Sequence, residues 1–594
     1  MKKIFFLFAI ITVIASCKLS NANQHNEDNK ELSALFDKYY KERLELFPLE
    51  STQNGDSILN DKMYVDFTDS YRGKLKDFYN KHLAFVKAFD RENLNANDKI
   101  SFDIFKREME MSIEGLSFHD NYMPFQQFWG LPLTMGQLGS GDGNQPFKTK
   151  KDYNDWLARA TVFGAWADSA IIYFRKGIAA NEILPASLVT KMIPQMEAMV
   201  VADAKKSLFY APINKMPAAV AKDSIALAKQ YEQLIAQTLV PSYKKLADFL
   251  KNEYLPKART TTGINALPDG DKMYKYLVRF WTTTNKTTDE IYNTGLSEVK
   301  RIRDEMEKTR NEVKFNGDLK AFFEFMKNDK QFMPYKTPTE VLGAFAAIQK
   351  KIDPKLKDMF GRTPKTPFEI RQTEAFRAAS ASAEYNQGSA DGKRPGIFYV
   401  PILDATKFNT TSGMESLFLH EAIPGHHYQI SLQQENDKLP GFRRFSWYGA
   451  YGEGWALYCE SLGKELGCYT DPYQYMGALG DEIHRGIRLV VDVAMHTGKM
   501  TREEAIKYMM DNEAISEGGA IAEIERYMAI PAQALSYKTG ALKIKELREK
   551  YKTQLGSKFS LAKFHDELLK DGCMPLEVIE QKMDDWAKGC SISH

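Results

Sequence analysis

His420-Glu421-Ala422-Ile423-Pro424-Gly425-His426-His427 is the stretch on which the reading of this chain turns. It opens like H-E-x-x-H, the pattern by which one helix presents two histidines to a single metal ion. Such histidines stand four residues apart, about 6 Å along the axis, and so converge on the ion. Here position 424 is a proline, and the next histidines come at 426 and 427. Proline donates no backbone N–H, and its ring opposes the carbonyl four residues back, that of His420. Gly425 relieves the backbone beside it. The simplest geometry is a bulge or kink that absorbs two residues. His426 is then preferred to His427 for the place of the second ligand, with His427 the alternative; the histidine left over points elsewhere, to a surrounding shell or to substrate. Of ten histidines in 594 residues, three fall in this window.

The flanks support a helix that carries a metal. Ser412-Gly413-Met414-Glu415 reads as a capping box, and Leu417, Phe418 and Leu419 give the apolar body, so His420 and Glu421 are expected about two turns in. Upstream lies a loop-rich region from Gly388 to Thr411. Inside it, Gly396-Ile397-Phe398-Tyr399-Val400-Pro401 is a β-branched and aromatic run between breakers, hence a strand. Downstream, Tyr451-Gly452-Glu453-Gly454-Trp455-Ala456-Leu457-Tyr458-Cys459-Glu460 begins a second helix that ends near Gly467. A catalytic metal needs a third protein ligand and keeps a fourth position open. Glu453 and Glu460 lie on nearly one face, about two turns apart. Glu453 is favoured because the glycines on either side let backbone and metal approach. Alone it would be an ordinary first-turn glutamate; beside the histidines it completes a ligand set.

One more helix bears on the site. Between His484 and His496, charges are embedded among strong apolar residues, and positions 484, 488, 492 and 496 share a face. A structural Arg488–Asp492 pair is the plain reading, since buried charges need partners. The functional reading is that Arg485 or Arg488 holds a substrate carboxylate and that His496 helps polarise a carbonyl.

The rest of the chain sets limits. The apolar fraction is 43% and the charged fraction 27%, ordinary for a globular body. A net charge of +2 gives no argument for a nucleic acid partner. Lys2 and Lys3, an apolar run from Ile4 to Ile14 and Ala15-Ser16-Cys17 form a secretory signal over residues 1–17. Ile14-Ala15-Ser16-Cys17 resembles a bacterial lipobox, which makes Cys17 the lipidated residue and the chain an exported lipoprotein at the cell envelope, on the outer membrane or facing the periplasm. Residues 18–31 read as a polar tether and 32–594 as the helical body, with a lobe boundary near residue 260. Cys459, Cys468, Cys573 and Cys590 are too few for a disulfide scaffold. Within the body, Thr287 with Glu290 fits a capping box, and helical stripes recur at 154–176, 222–252 and 338–352. No glycine-rich phosphate loop follows a strand.

H-E-A-I-P-G-H-H followed by E-G-W-A-L-Y resembles the bacterial family called domain of unknown function 885, grouped with zincin-like metallopeptidases. More distantly, the arrangement is similar to glutamate-ligand zinc peptidases such as angiotensin-converting enzyme, which place an oxyanion tyrosine late in the chain within I-R-Y-F. This chain has Ile524-Glu525-Arg526-Tyr527-Met528 and then Tyr537. The resemblance therefore implies Tyr527 as oxyanion donor, with Tyr537 second. It also implies a mainly α, zincin-like body around a channel or cleft, with a small β element beside the active-site helix and a preference for short peptides. Two departures stand out: the intact H-E-x-x-H is absent, and Leu457 sits where relatives often carry an acid four residues after the glutamate ligand. The expectation is a Zn²⁺-dependent peptide hydrolase. His420, His426 and Glu453 hold the metal, Glu421 is the general base, and the strand at 397–400 pairs with an extended substrate. The rivals are a non-catalytic helical lipoprotein that binds peptides or glycans, and a metal hydrolase of another amide or ester.

Overall fold

A computed structural model describes residues 27–373, 382–389, 392 and 394–592. The signal segment, Cys17 and most of the tether lie outside the described residues. The last tether residues are already helical: Asn29 caps a helix that starts at Lys30, accepting from the amides of Glu31 and Leu32.

The fold is mainly α, with one small sheet. The helices used below are α1 (Lys30–Leu46), α2 (Pro48–Gln53), α3 (Asp69–Val86), α4 (Ala96–Gly115), α5 (Lys150–Thr161), α6 (Phe163–Ala180), α7 (Thr288–Glu312) and α8 (Pro338–Met359). After the sheet come α9 (Met414–Glu421), α10 (His426–Glu435), α11 (Gly449–Ser461), α12 (Pro472–His496), α13 (Glu517–Ala529), α14 (Ser536–Leu555), α15 (Leu561–Leu569) and α16 (Leu576–Ile592). The expected stripe at 154–176 is split between α5 and α6 at Val162, and the one at 338–352 runs on as α8. Thr287 and Glu290 form the capping box of α7, each side chain meeting the other's backbone N–H.

The sheet has the order β1 (Phe368–Gln372), β3 (Gly396–Val400), β2 (Glu384–Asn386). β1 runs parallel to β3, and β2 antiparallel with Tyr385 opposite Phe398. The expected strand is therefore the central one, and both of its edges are taken. It cannot accept a substrate strand; β2 lies at one side of the sheet, and its Tyr385 amide is taken by Glu421.

The largest apolar core joins α1, α3 and α4 to α8, the sheet, α9 to α11 and α14 to α16, so the amino-terminal helices close over the half that carries the histidines. A second core runs from Met63 to Tyr254. Further clusters tie α7, α12 and α13 together.

One buried polar group in this core has both of its nitrogens matched. His565 of α15 is fully enclosed; its Nδ1–H donates to the Met359 carbonyl at 2.9 Å and its Nε2 accepts from the Tyr458 hydroxyl at 2.8 Å. Burial pushes its pKa down to about 3. Because that lies below the unfolded value of about 6.5, its contribution to stability is complete above pH 6.5 and is lost as pH falls towards 3, at about 1.4 kcal/mol per pH unit. The unfolding free-energy gap between wild type and His565→Gln should thus narrow by about 2 kcal/mol from pH 7 to pH 5, measured by urea titration. A gap that stays constant would refute the neutral histidine.

Candidate metal centre

α9 starts without the expected capping box. Gly413 is left-handed, with φ +76°, and no side chain caps the helix. Glu415 instead accepts from the Tyr469 amide at 2.6 Å and pairs with Lys351 at 2.8 Å. A distant cation and amide compete successfully for a carboxylate that a local pattern would assign to the cap.

The helix then stops outright. α9 ends at Glu421 and α10 begins at His426, so the insertion is a break between two helices and not a bulge within one. Ile423–Pro424 is a cis peptide. Trp455 of α11 donates its indole N–H to the Pro424 carbonyl at 3.0 Å. At Gly425 a Cβ would collide with the carbonyl oxygens of His420 and Leu419, so only glycine lets the chain turn this tightly.

The turn brings His420 and His426 together, with ring centroids 4.9 Å apart and planes at 89°. Glu453 of α11 lies between them: its Oε2 is 3.5 Å from Nε2 of each histidine. That is longer than a good N–H···O hydrogen bond, which lies near 2.7–3.2 Å. It is close to the edge, about 3.3–3.4 Å, of a tetrahedron with zinc-to-ligand bonds of about 2.0–2.1 Å. Donor types and spacing thus fit Zn²⁺. A ligand atom of Glu421 also comes within 4.8 Å of both histidines. Glu453 is the better third ligand because one oxygen is equidistant from both imidazoles. Glu421 is held differently, its Oε2 accepting from the Tyr385 amide of β2 at 3.0 Å.

Glu460 supplies what Leu457 does not. Its Oε1 is 2.7 Å from Nδ1 of His420. With that nitrogen carrying the proton, the Nε2 lone pair points at Glu453, an arrangement that raises ligand basicity. Burial opposes charge on His420, but Glu453 and Glu460 outweigh it and lift its pKa to about 10. Burial likewise works against the Glu453 carboxylate, and the two histidines still hold it well below the usual range. The two carboxylates of the cluster stabilise positive charge on His420.

His427 turns away. Its Nδ1 meets the Tyr385 hydroxyl at 2.9 Å, its ring lies 5.0 Å from Phe368, and burial pushes its pKa down to about 4. A neutral imidazole under the sheet is no part of the ligand set.

α11 is placed by a helix crossing. Gly454, next to Glu453, lies against Gly540 of α14, and a Cβ on Gly540 would strike the Ala450 carbonyl oxygen. Tyr537 is one turn before that crossing. It is half-buried, and its hydroxyl makes no hydrogen bond among the described residues. The first-choice Tyr527 is otherwise engaged: 1% exposed, it accepts from Arg488 Nε at 2.9 Å and donates to the Glu523 carboxylate.

The remaining predicted residues of α12 divide in the same way. Arg488 pairs with Glu523 at 3.1 Å and lies 4.7 Å from the centre of the Tyr537 ring. The expected Arg488–Asp492 pair is not formed; Asp492 accepts from the Tyr274 hydroxyl and the Ala532 amide, and burial pushes its pKa up to about 7. Both His496 nitrogens are taken by main chain: Nδ1 accepts from the Ile264 amide and Nε2 donates to the Tyr527 carbonyl, at zero exposure. His496 therefore packs the core and has no N–H to give a substrate. Among the described residues Arg485 is hydrogen-bonded only within its own helix, to the Asp481 carbonyl at 3.0 Å and weakly to the Asp481 carboxylate, and its buried Nε has no partner there. Of the two arginines it is the one with donors to spare.

A family model described as "Bacterial protein of unknown function (DUF885)" matches residues 48–583. A crystal structure of a "putative lipoprotein" from Colwellia psychrerythraea is 27% identical, with a TM-score of 0.86 over 94% of this chain and 99% of that one. A "putative lipoprotein of unknown function" from Shewanella oneidensis, 19% identical, has a TM-score of 0.68 over 93% of this chain and 99% of that one, and shares the fold. No curated protein matches. Among the described residues no helix is long and apolar enough to cross a membrane.

Proposed function

The chain belongs to DUF885, a bacterial family of unknown function, and on that premise we propose that it is a zinc-dependent hydrolase of short peptides. The observation that carries this reading is the Glu453 oxygen 3.5 Å from both His420 and His426, backed by Glu460 on the far nitrogen of His420. Zn²⁺ held there would supply Lewis acidity, lowering the pKa of a water towards about 7 and polarising a scissile carbonyl.

The chain's own residues do the rest. Glu421 keeps one oxygen on the Tyr385 amide. Its other oxygen is available to take a proton from water and return it to the leaving amine. Tyr537 donates its hydroxyl to the developing oxyanion. Arg485 offers its unused N–H groups to a substrate carboxylate. We further read the protein as an exported lipoprotein anchored through Cys17, a reading that the lipobox and the lipoprotein descriptions of its structural relatives support.

The test joins metal analysis to a peptide-library digest. Purified protein should carry about one zinc per chain and cleave short peptides. Cleavage should cease on chelation and return with added Zn²⁺. Protein without zinc, with function untouched by His420→Ala, would leave the non-catalytic binder in its place.

A further inference from the structure

A cavity of about 480 Å³ opens along α10. Ile430, Gln433 and Gln434 line it, four, seven and eight residues after His426 and so on the same face of the helix. That puts the cavity roughly 6–12 Å beyond the ligand along the axis. An extended peptide covers this distance in about two to four residues. Trp447, in the cavity wall, has its ring 5.8 Å from that of His426, and Gln387 of the wall directly follows β2. The cavity thus lies beside the histidine cluster, with Trp447 between the two.

Four charged residues line it: Arg43, Glu50, Glu108 and Arg444. Arg43 and Glu50 satisfy each other through two bonds of 2.9 and 2.7 Å. Glu108 and Arg444 make no ion pair among the described residues. Arg444 uses only its Nε, on the Gln434 carbonyl at 2.8 Å, which leaves the outer end of the guanidinium to bind. Burial raises the Glu108 carboxyl, with Arg43 and the Tyr448 hydroxyl acting against it. The walls between are aromatic, with Tyr40 and Phe445 stacked at 16° and Trp447 47% exposed. The Arg444 segment is held rigid by its neighbour: fully buried Arg443 donates to Asn97 and Ser101 of α4 and to the Asp571 carbonyl.

A carboxylate and a guanidinium that form no ion pair among the described residues, in one partly enclosed space, call for a ligand that brings both opposite charges. We propose that this cavity is a binding subsite for a zwitterionic amino-acid group, its ammonium on Glu108 and its carboxylate on Arg444. The claim that this group belongs to a peptide being cut rests on the function proposed above; the binding itself does not. Two sources share this chemistry. One is the pair of termini of a free dipeptide. The other is a side chain that ends in its own amino-acid zwitterion, as in a diamino dicarboxylic acid residue of a longer peptide.

The experiment is calorimetric titration of the full chain, metal-stripped so that no probe can bind through zinc. The probes are alanylalanine, its N-acetyl and its C-amide forms, and a terminally blocked peptide whose one zwitterion is on a diaminopimelyl side chain. We expect one zwitterionic probe to bind, and blocking either of its charges to weaken binding at least tenfold. The probe that binds identifies the source. In Glu108→Gln the penalty for losing the ammonium should vanish while the carboxylate penalty stays; Arg444→Met should show the reverse. The wild-type comparison decides the matter even if a variant fails to fold. Equal affinity for charged and blocked probes, or no binding by either zwitterion, overturns the subsite. Binding without any hydrolysis by zinc-loaded protein would overturn the proposed function and leave the subsite standing.

Discussion

Glu421→Gln should lower kcat/KM for peptide cleavage by about 10²–10⁴-fold, the usual worth of a positioned general base, and leave zinc content unchanged. The amide oxygen of glutamine can still accept from the Tyr385 amide, and His420, His426 and Glu453 are untouched. Only the capacity to take a proton is removed. Glu453→Gln should do the opposite and lose the metal first, since a neutral amide replaces the one anion shared by both imidazoles. Metal analysis beside steady-state kinetics separates the two. A Glu421→Gln enzyme that keeps full activity would remove Glu421 from the mechanism, and one that loses zinc would make it a ligand.

Gly540→Ala should damage stability and metal affinity together. The added methyl falls on the Ala450 carbonyl at the crossing of α14 and α11, so the helices must part. Overpacking of this kind costs about 1–3 kcal/mol, occasionally more. The separation acts on the helix that carries Glu453, so the zinc dissociation constant should rise as Tm falls. Gly480→Ala in α12 is the control: its Cβ would meet nothing within 4 Å. In a helix that change should be neutral or stabilise by about 0.4–1 kcal/mol. If Gly540→Ala unfolds like the control and holds zinc as tightly as wild type, the crossing does not position the site.

The parts of this site that could be read in the sequence are those set by local chemistry. Pro424 and Gly425 predict that no continuous helix can join His420 to the next histidine, and the chain breaks there. The breakers around 396–401 predict a strand. The glycines around Glu453 predict close approach, and Gly454 meets Gly540. What could not be read depends on partners far along the chain. Glu415 is drawn from the cap by Lys351 and Tyr469. β2 exists because it pairs with β3 and holds Glu421, which no run of three residues announces. Glu460 reaches His420 from the helix face it shares with Glu453. Its signal in the sequence is the spacing of seven residues, which fits a second ligand position as well as a partner for the far nitrogen of a histidine. His496 and Tyr527 have the residue types of a catalytic pair, yet each has its polar atoms bound inside the core.

The break between α9 and α10 has an evolutionary corollary. In an unbroken helix the distance between two ligands is dictated by the pitch, and mutation cannot adjust it. Here the Trp455 indole on the Pro424 carbonyl helps to set it, so the gap between His420 and His426 belongs to tertiary packing. Small substitutions around Trp455 can widen or narrow that gap without altering either histidine. For the zinc site proposed above, a lineage built on this turn could therefore drift in ion preference, towards larger or softer cations, while its histidines and glutamate stay fixed.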